Sequence, residues 1–349
     1  MLVYFIIILL LIIGIFFKNP KIKKYYYFLI CLLIFLVSSF RNELIGNDTI
    51  QYLRFFDLIN RTNLNHYIGN GYFEVGYIYI NYFIKLISDS KLFFLTITSA
   101  FIYFGIFRFI YKNSKNEFMS LLLFVLLLYF FESMSAIRQY LAISIILLSF
   151  DNIRNKKLIK YIISVVLAFL IHKSAIICIL LYFAYNIKID RKTKFILLFI
   201  TLLLSLVGAN FISSILLRFN FYTSYLDRLG TIKLASFIGM IINILIYLFV
   251  SFRHTKDKES EFFINVAFIS MLLSILTLNF SILGRLSLYF EIFSLISIVN
   301  SIFSIKTVKN RLLFSIILLT CCFSYMYVIV VLRPDWYMVF PYMTSFIKG

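Results

Sequence analysis

The segment Ser38-Ser-Phe-Arg41-Asn-Glu43-Leu-Ile-Gly46-Asn-Asp48-Thr49-Ile-Gln51-Tyr52 is polar, although it directly follows an apolar run. It carries charged side chains and a glycine in a chain that is 62% hydrophobic and only 14% charged. In lipid, such a segment is stable only where water or protein surrounds it. The segment therefore indicates that the apolar remainder of the chain builds a membrane-embedded structure against a polar loop.

The fold class follows from the apolar runs, which recur along the 349 residues and are long enough to cross a bilayer. The chain is predicted to be an all-α, polytopic integral membrane protein. The alternating pattern of an outer-membrane barrel is absent. The first apolar run, residues 2–17, lacks a basic leader and a small-residue cleavage site, so we interpret it as a retained span.

The net charge of +19 raises the question of nucleic-acid binding. The lysines and arginines lie in short clusters between apolar runs, as the positive-inside rule predicts for a membrane protein. No domain-sized basic surface with interleaved aromatic residues is evident, so no nucleic-acid partner is expected. The four cysteines lie in apolar runs and the three histidines are far apart, so neither a metal site nor a cofactor is predicted.

The basic clusters also predict the topology. If each cluster is cytoplasmic, the apolar runs pair up into about twelve transmembrane helices, with a range of roughly eleven to fourteen. We expect a single transmembrane domain over residues 1–349. Parity leaves one extra apolar segment, near 72–88, which is predicted to be a re-entrant or interfacial helix because it contains Glu74 and Lys85. The topology then places residues 41–70 on the non-cytoplasmic side.

Polar residues in or beside the predicted spans collect at that same face. The basic clusters were used only to assign the cytoplasmic face, so they do not explain why these polar residues share the opposite face. Their shared location therefore points to a polar site. The side chains concerned are Asp48, Glu74, Arg138, His172 and Arg285.

Arg138 is predicted near the start of a span over residues 135–150, which would pair with a span over 118–131 through a turn at 132–135. Helical spacing would place Ser135, Arg138 and Gln139 on one face. The guanidinium matches phosphate oxygens and stays charged at any relevant pH, so an anionic partner is predicted. The alternative is a structural ion pair with Glu132 or Asp48.

Two carboxylates are candidates for acid–base chemistry. Asp48 is predicted to be either the N-cap of a helix that begins at Ile50 or a catalytic carboxylate. Glu74 lies among aromatic residues, which would raise its pKa. Its alternative role is pairing with a nearby arginine, Arg41 or Arg54.

His172 and Arg285 each have two readings as well. His172 lies at a turn between two predicted helices, where it could act as a general base or make a structural polar contact. Arg285 begins a predicted span and has Tyr289 one turn further on. These two residues could bind a sugar or phosphate, or the arginine could extend to lipid headgroups.

Five short stretches, taken in order, resemble the EpsG/Wzy type of bacterial polysaccharide polymerase, and the resemblance covers most of the chain. They are Arg41…Gly46-Asn-Asp48-Thr49…Tyr52, Glu74-Val-Gly76-Tyr77, Ser135-Ala-Ile-Arg138-Gln139-Tyr140-Leu141-Ala142, Ile171-His172-Lys173-Ser174-Ala175 and Gly284-Arg285…Tyr289-Phe290.

The resemblance implies a GT-C-like, inverting, metal-independent glycosyltransferase of the cytoplasmic (inner) membrane. Its donor and acceptor would be oligosaccharide repeat units on polyprenyl pyrophosphate, joined at the periplasmic or extracellular face, with a chain-length regulator as a further partner. Asp48, Glu74, Arg138, His172 and Arg285 would be catalytic. The substrate-binding residues would be Arg41, Gly46, Tyr52, Gln139 and Tyr289.

Two alternatives stay open. A flippase for the same lipid-linked unit would also place arginines in a wet cavity, but it should show repeat symmetry and charges accessible from both faces. Here the charges collect at one face and no repeat is visible, which favours the enzyme. An O-antigen ligase-type transferase or a membrane acyltransferase would differ in its acceptor, which the sequence does not reveal.

Overall fold

The computed structural model describes residues 1–59, 64–69, 71, 73–218, 234–252, 257–280 and 283–346. These residues are helical or irregular, with one isolated β-bridge between Arg41 and Thr344, so the predicted all-α class is confirmed for them. Tyr72, at the start of the predicted re-entrant segment, and residues 219–233, which lie between two apolar runs, are outside the described residues.

Seventeen α-helices occur among the described residues. In chain order, α1 to α17, they are Leu2–Ile15, Pro20–Ser39, Thr49–Leu58, Leu64–Gly69, Val75–Ile87, Lys91–Asn113, Glu117–Leu126, Tyr129–Ser135, Ile137–Leu148, Phe150–Arg154, Leu158–Ile171, Ile179–Asn186, Arg191–Arg218, Leu234–Phe252, Lys258–Leu276, Gly284–Phe303 and Val308–Tyr327. A 3-10 helix, Lys173–Cys178, precedes α12, and a π-helix, Val328–Leu332, follows α17.

Six of the described helices are long and apolar enough to cross a membrane, so the protein is a multi-pass membrane protein. They are α2, α6, α14, α15, α16 and α17 with its π-helical extension. The helices α7 and α8 would make a seventh span if they count as one, although a 61° bend separates them. The total of about twelve spans stays a prediction.

The predicted pair of spans over 118–131 and 135–150 is wrong in its boundaries. Leu128 adopts a left-handed conformation, with φ of 70°, and separates α7 from α8. Ala136 has φ of −89° and ψ of 55°, which is not helical, and it separates α8 from α9. The residues predicted to turn, 132–135, are the last residues of α8.

The described residues group into two compact units, residues 1–176 with 305–349 and residues 177–304. The single domain stays a prediction. In the first unit α6 packs closely on α9, because a Cβ at Gly105 would lie 2.7 Å from the Cβ of Ser144. The Ser144 hydroxyl donates to the carbonyl of Ile102 over 2.8 Å, which fixes this pair of helices. The predicted segment near 72–88 forms α5, and its re-entrant or interfacial position stays a prediction.

The polar segment, residues 38–52, pairs with the C-terminal tail, residues 333–346. The backbone N–H groups of Asn42 and Gly46 donate to the carbonyls of Met343 and Met338, over 2.9 and 3.0 Å. Backbone hydrogen bonds of this kind satisfy loop groups that would otherwise be buried without partners. The polar segment is therefore held by protein rather than left as an unsupported loop.

Gly46 supplies a test of this arrangement. Its φ is +90°, and a Cβ would lie 2.9 Å from the carbonyl oxygen of Met134. We expect Gly46→Ala to lower the free energy of unfolding by about 1–3 kcal/mol, because it adds backbone strain and a contact with a fixed carbonyl. Thermal unfolding of the detergent-solubilised protein measures the loss.

Two further glycines are matched controls. Gly71 has φ of +63° but no atom within 4 Å of its Cβ position, so Gly71→Ala isolates the backbone strain. Gly239 has open space and a helical backbone, so Gly239→Ala should be neutral or slightly stabilising. Equal unfolding temperatures for the Gly46 and Gly239 variants would show that the segment is not constrained as described.

Candidate functional site

Arg138 is the second residue of α9, and its guanidinium forms an ion pair with the carboxylate of Glu74. The two side chains are only 16% and 12% exposed. Glu74 lies directly before α5, far from Arg138 in sequence. A structural ion pair was one of the predicted roles for both residues, and an ion pair is present. The expected partners were wrong, namely Glu132 or Asp48 for the arginine and Arg41 or Arg54 for the glutamate.

Three aromatic rings surround the guanidinium. Its central carbon lies 4.4 Å from the ring centre of Phe73 and 5.7 Å from those of Tyr52 and Tyr77. The Tyr52 side chain is also hydrogen-bonded to the guanidinium. Rings at these distances attract a cation and exclude water from its faces. The charge of Arg138 is therefore held in a defined orientation.

The pKa of Glu74 departs from the expectation. Burial raises this pKa, as predicted, but the charge of Arg138, backbone N–H donors and the nearby His172 together lower it below its ordinary value of 4.5. The prediction of a raised pKa was wrong because it did not include the arginine. Glu74 is a carboxylate at neutral pH.

His172 directly follows the last residue of α11 and is 7% exposed. Its Nδ1 lies 2.5 Å from the hydroxyl of Ser174 and 3.3 Å from the backbone nitrogen of the same residue. A backbone N–H can only donate, so Nδ1 is the acceptor and the proton of a neutral ring sits on Nε2. In this form His172 can donate a hydrogen bond from Nε2 but cannot accept a proton there.

Close packing of α5 on α11 brings these groups together. A Cβ at Gly76 would lie 2.7 Å from the carbonyl oxygen of Leu170, so only glycine permits this approach. The approach lets the second carboxylate oxygen of Glu74 accept a hydrogen bond, 3.2 Å long, from the backbone N–H of Lys173. Glu74 therefore links the starts of α5 and α9 to the end of α11.

Asp48 contacts the end of α8. It occupies the residue before α3, as the cap reading predicted, but its side chain makes no capping hydrogen bond. Its backbone N–H lies 3.3 Å from the hydroxyl oxygen of Ser135, at the end of α8. The backbone of Asp48 is therefore anchored to the end of α8, and its catalytic role stays a prediction.

Arg41 is 1% exposed and is among the largest fully buried side chains of the described residues. Its guanidinium donates to the carbonyls of Ser38 and Met134, over 2.5 and 3.0 Å. Burial lowers the pKa of Arg41 to about 10, so the side chain remains charged at neutral pH. The carbonyl of Met134 also accepts from the hydroxyl of Thr49 over 3.0 Å. Arg41 and Thr49 thus both bond to the end of α8 and support the junction between α8 and α9.

Gln139 follows Arg138 on α9 and is 4% exposed. Ser135 belongs to α8, and the non-helical Ala136 separates it from α9. The predicted single helical face of Ser135, Arg138 and Gln139 is therefore wrong, although Arg138 and Gln139 do share a helix.

Arg285 and Tyr289 belong to the second unit, on α16. Arg285 is exposed at the start of the helix, whereas Tyr289 is 1% exposed. Further along α16, Glu291 accepts hydrogen bonds from Ser287, over 2.7 Å, and from Asn243 of α14, over 3.1 Å. Sequence reasoning missed this carboxylate. Its signal was a glutamate inside an apolar helix with a serine one turn before it, since intramembrane carboxylates are often functional.

The structure therefore brings together three of the five predicted catalytic residues, Glu74, Arg138 and His172, with Tyr52 against them. It also adds Phe73 and Ser174 to the site. Among the described residues, no group of three or more His, Cys, Asp or Glu side chains could hold a metal ion.

These features define a polytopic α-helical membrane protein with a partly buried Arg–Glu–His site. More narrowly, the chain belongs to the EpsG family, whose family model matches residues 24–344, nearly the whole chain. The resemblance stated from the sequence motifs is thus confirmed. Comparisons with curated proteins and with solved structures give no match.

The ion pair predicts a pH dependence of stability. The pKa of Glu74 is lower in the folded state than its ordinary value of 4.5. Its contribution to stability is therefore fully present above that pH and is lost as the pH falls through the folded pKa. In Arg138→Met, burial acts without the opposing charge, so the folded pKa of Glu74 should rise. The contribution then reverses and is lost as the pH increases.

Thermal unfolding between about pH 3 and pH 8 checks this sign change. The comparison needs wild type, Glu74→Gln, Arg138→Met and the double variant, because the differences isolate Glu74 from the other carboxylates. If Glu74→Gln changes the pH profile equally in the wild type and in Arg138→Met, the coupling between the two side chains is contradicted.

Proposed function

We propose that the protein polymerises oligosaccharide repeat units carried on polyprenyl pyrophosphate, acting as an inverting, metal-independent glycosyltransferase. Membership of the EpsG family supports a polymerase of this kind. The observation that carries the proposal is the partly buried Arg138, ion-paired with Glu74 and enclosed by aromatic rings.

In the proposed reaction, a sugar hydroxyl of the acceptor unit attacks the anomeric carbon of the growing chain. A glycosidic C–O bond forms while the bond from that carbon to the pyrophosphate oxygen breaks. The leaving polyprenyl pyrophosphate keeps the electron pair, and the hydroxyl proton passes to a base on the protein. Negative charge develops on the leaving group, where a fixed cation is most effective.

Arg138 is suited to stabilise that charge. A guanidinium can bind two phosphate oxygens at once and keeps its charge when desolvated. Without substrate, Glu74 neutralises it. A pyrophosphate that takes over the guanidinium would compete with the carboxylate and leave Glu74 available to accept the proton.

The other residues take supporting roles in the proposal. The tautomer of His172 favours donation from Nε2 to a substrate oxygen rather than proton abstraction. Asp48 is the second candidate base. Tyr52 is proposed as a sugar contact. On α16 of the second unit, Arg285 is proposed to bind a substrate phosphate and Tyr289 a sugar. Gln139 is proposed to bind substrate beside Arg138.

The location of the reaction is also part of the proposal. Under the positive-inside rule the basic clusters face the cytoplasm, so the Arg138 site faces the periplasm or the exterior of the inner membrane. A chain-length regulator is proposed as a partner, because repeated addition of units needs something that limits the length of the product.

The test is a polymerisation assay with purified protein and lipid-linked repeat units, with the product ladder resolved on a gel. We expect Glu74→Gln to reduce the rate by about 10²–10⁴-fold, as for loss of a general base. Arg138→Lys should also abolish the ladder, because lysine cannot form the same two-pronged contact.

Arg154→Lys is the matched control. Arg154 lies at the end of α10 and is paired with Asp151 at 3.8 Å, outside the site. This variant should make a normal ladder. Absence of any ladder from the wild-type protein would overturn the proposed function, and a normal ladder from Arg138→Lys would overturn the role of that guanidinium.

A further inference from the structure

A groove of about 530 Å³ lies between α2 and α6, outside the Arg138 site. Its lining residues recur every three or four positions on both helices, so each helix contributes one continuous stripe. The walls are apolar and strongly aromatic, and Phe28 and Phe104 are 64% and 59% exposed along it. In a membrane these faces meet lipid.

Two cations lie at one end of the groove. Lys24 of α2 and Arg108 of α6 line it, together with Tyr111. Both cations are exposed, and neither forms an ion pair with another described residue. The adjacent Lys23 differs, because it is paired with Glu117 over 2.7 Å. The groove thus has a positively charged end and an apolar body.

The acidic side chains that act on groove residues are already paired with other lysines. Glu117, whose charge acts on Tyr27 and Cys31, is bonded to Lys23 over 2.7 Å. Asp151 lies close enough for Arg108 to influence it, but its carboxylate is bonded to Lys112 over 2.8 Å. Arg154 lies on its other side at 3.8 Å. Positive charge therefore remains in excess around the groove.

The length of the groove matches one leaflet. On α2 it extends from Lys24 to Phe35, which at the rise of an α-helix is about 16 Å. The hydrocarbon core of a bilayer is about 30 Å thick, so each leaflet supplies about half of that. An acyl chain that starts at the two cations would therefore reach the bilayer centre at the far end.

We propose that this groove is a binding site for an anionic diacyl phospholipid. Its phosphate contacts Lys24 and Arg108, and one acyl chain lies against the aromatic stripes. Basic pockets between membrane helices bind anionic headgroups in this way. The inference does not depend on the proposed function, because it concerns the opposite ends of α2 and α6 from Arg41 and Lys91.

The test uses the full-length protein in detergent micelles, titrated with dioleoyl phosphatidylglycerol. Native mass spectrometry measures the lipid-bound fraction, and dioleoyl phosphatidylcholine is the zwitterionic comparison. The wild-type protein should prefer phosphatidylglycerol. Lys24→Gln with Arg108→Gln should weaken that binding about 25-fold, since each charge near an anionic lipid is worth about fivefold.

Lys21→Gln with Lys157→Gln removes the same charge from exposed positions outside the groove and should leave the lipid preference unchanged. Ala100→Trp keeps both cations but fills the apolar body, so it should abolish phosphatidylglycerol binding.

Three results would overturn the proposal. The first is equal binding of the two phospholipids by wild type. The second is loss of the preference in the Lys21 and Lys157 variant as well, which would show a general charge effect. The third is tighter binding of a polyprenyl phosphate than of phosphatidylglycerol, which would assign the groove to an isoprenoid lipid.

Discussion

The guanidinium of Arg41 is the interaction on which the first unit depends. It is buried and charged, and its hydrogen bonds run to the carbonyls of Ser38 and Met134. Both carbonyls lie in the last turns of their helices, α2 and α8, where the helix dipole is negative. Desolvating a charge costs several kcal/mol. Two helix ends offset that cost, and no carboxylate among the described residues is paired with Arg41, so the two ends and the polar segment are held together.

This constraint determines where Arg138 lies. The last turn of α8 is bonded to Arg41 through the carbonyl of Met134, and α9 begins after a single non-helical residue. Arg138 therefore lies in the first turn of α9. A cation is unfavourable there, since the start of a helix carries positive partial charge. Glu74 provides the compensating charge, and the close approach at Gly76 allows it to reach. The ion pair is thus a consequence of how three helices meet.

The sequence predicted the parts of this arrangement that depend on patterns, and it missed those that depend on tertiary contacts. Apolar runs predicted the helical membrane class, and charge parity grouped Glu74 and Arg138 at one face. Neither signal identifies ion-pair partners that are 64 positions apart. The break at Leu128 was missed because leucine rarely adopts a left-handed conformation, and nothing in its neighbours marks it. Glu291 was missed because its partner Asn243 lies on another helix.

The Glu74–Arg138 pair gives the proposed reaction an internal order. While the pair is intact, the carboxylate is a weak base because the arginine lowers its pKa. A pyrophosphate that displaces the carboxylate removes that charge, and burial, the largest influence on this group, then raises the pKa. Glu74 therefore becomes a stronger base only once the leaving group is bound. Under the proposed function, donor binding would prepare the site for the acceptor hydroxyl, and an empty site would hold its charges neutralised.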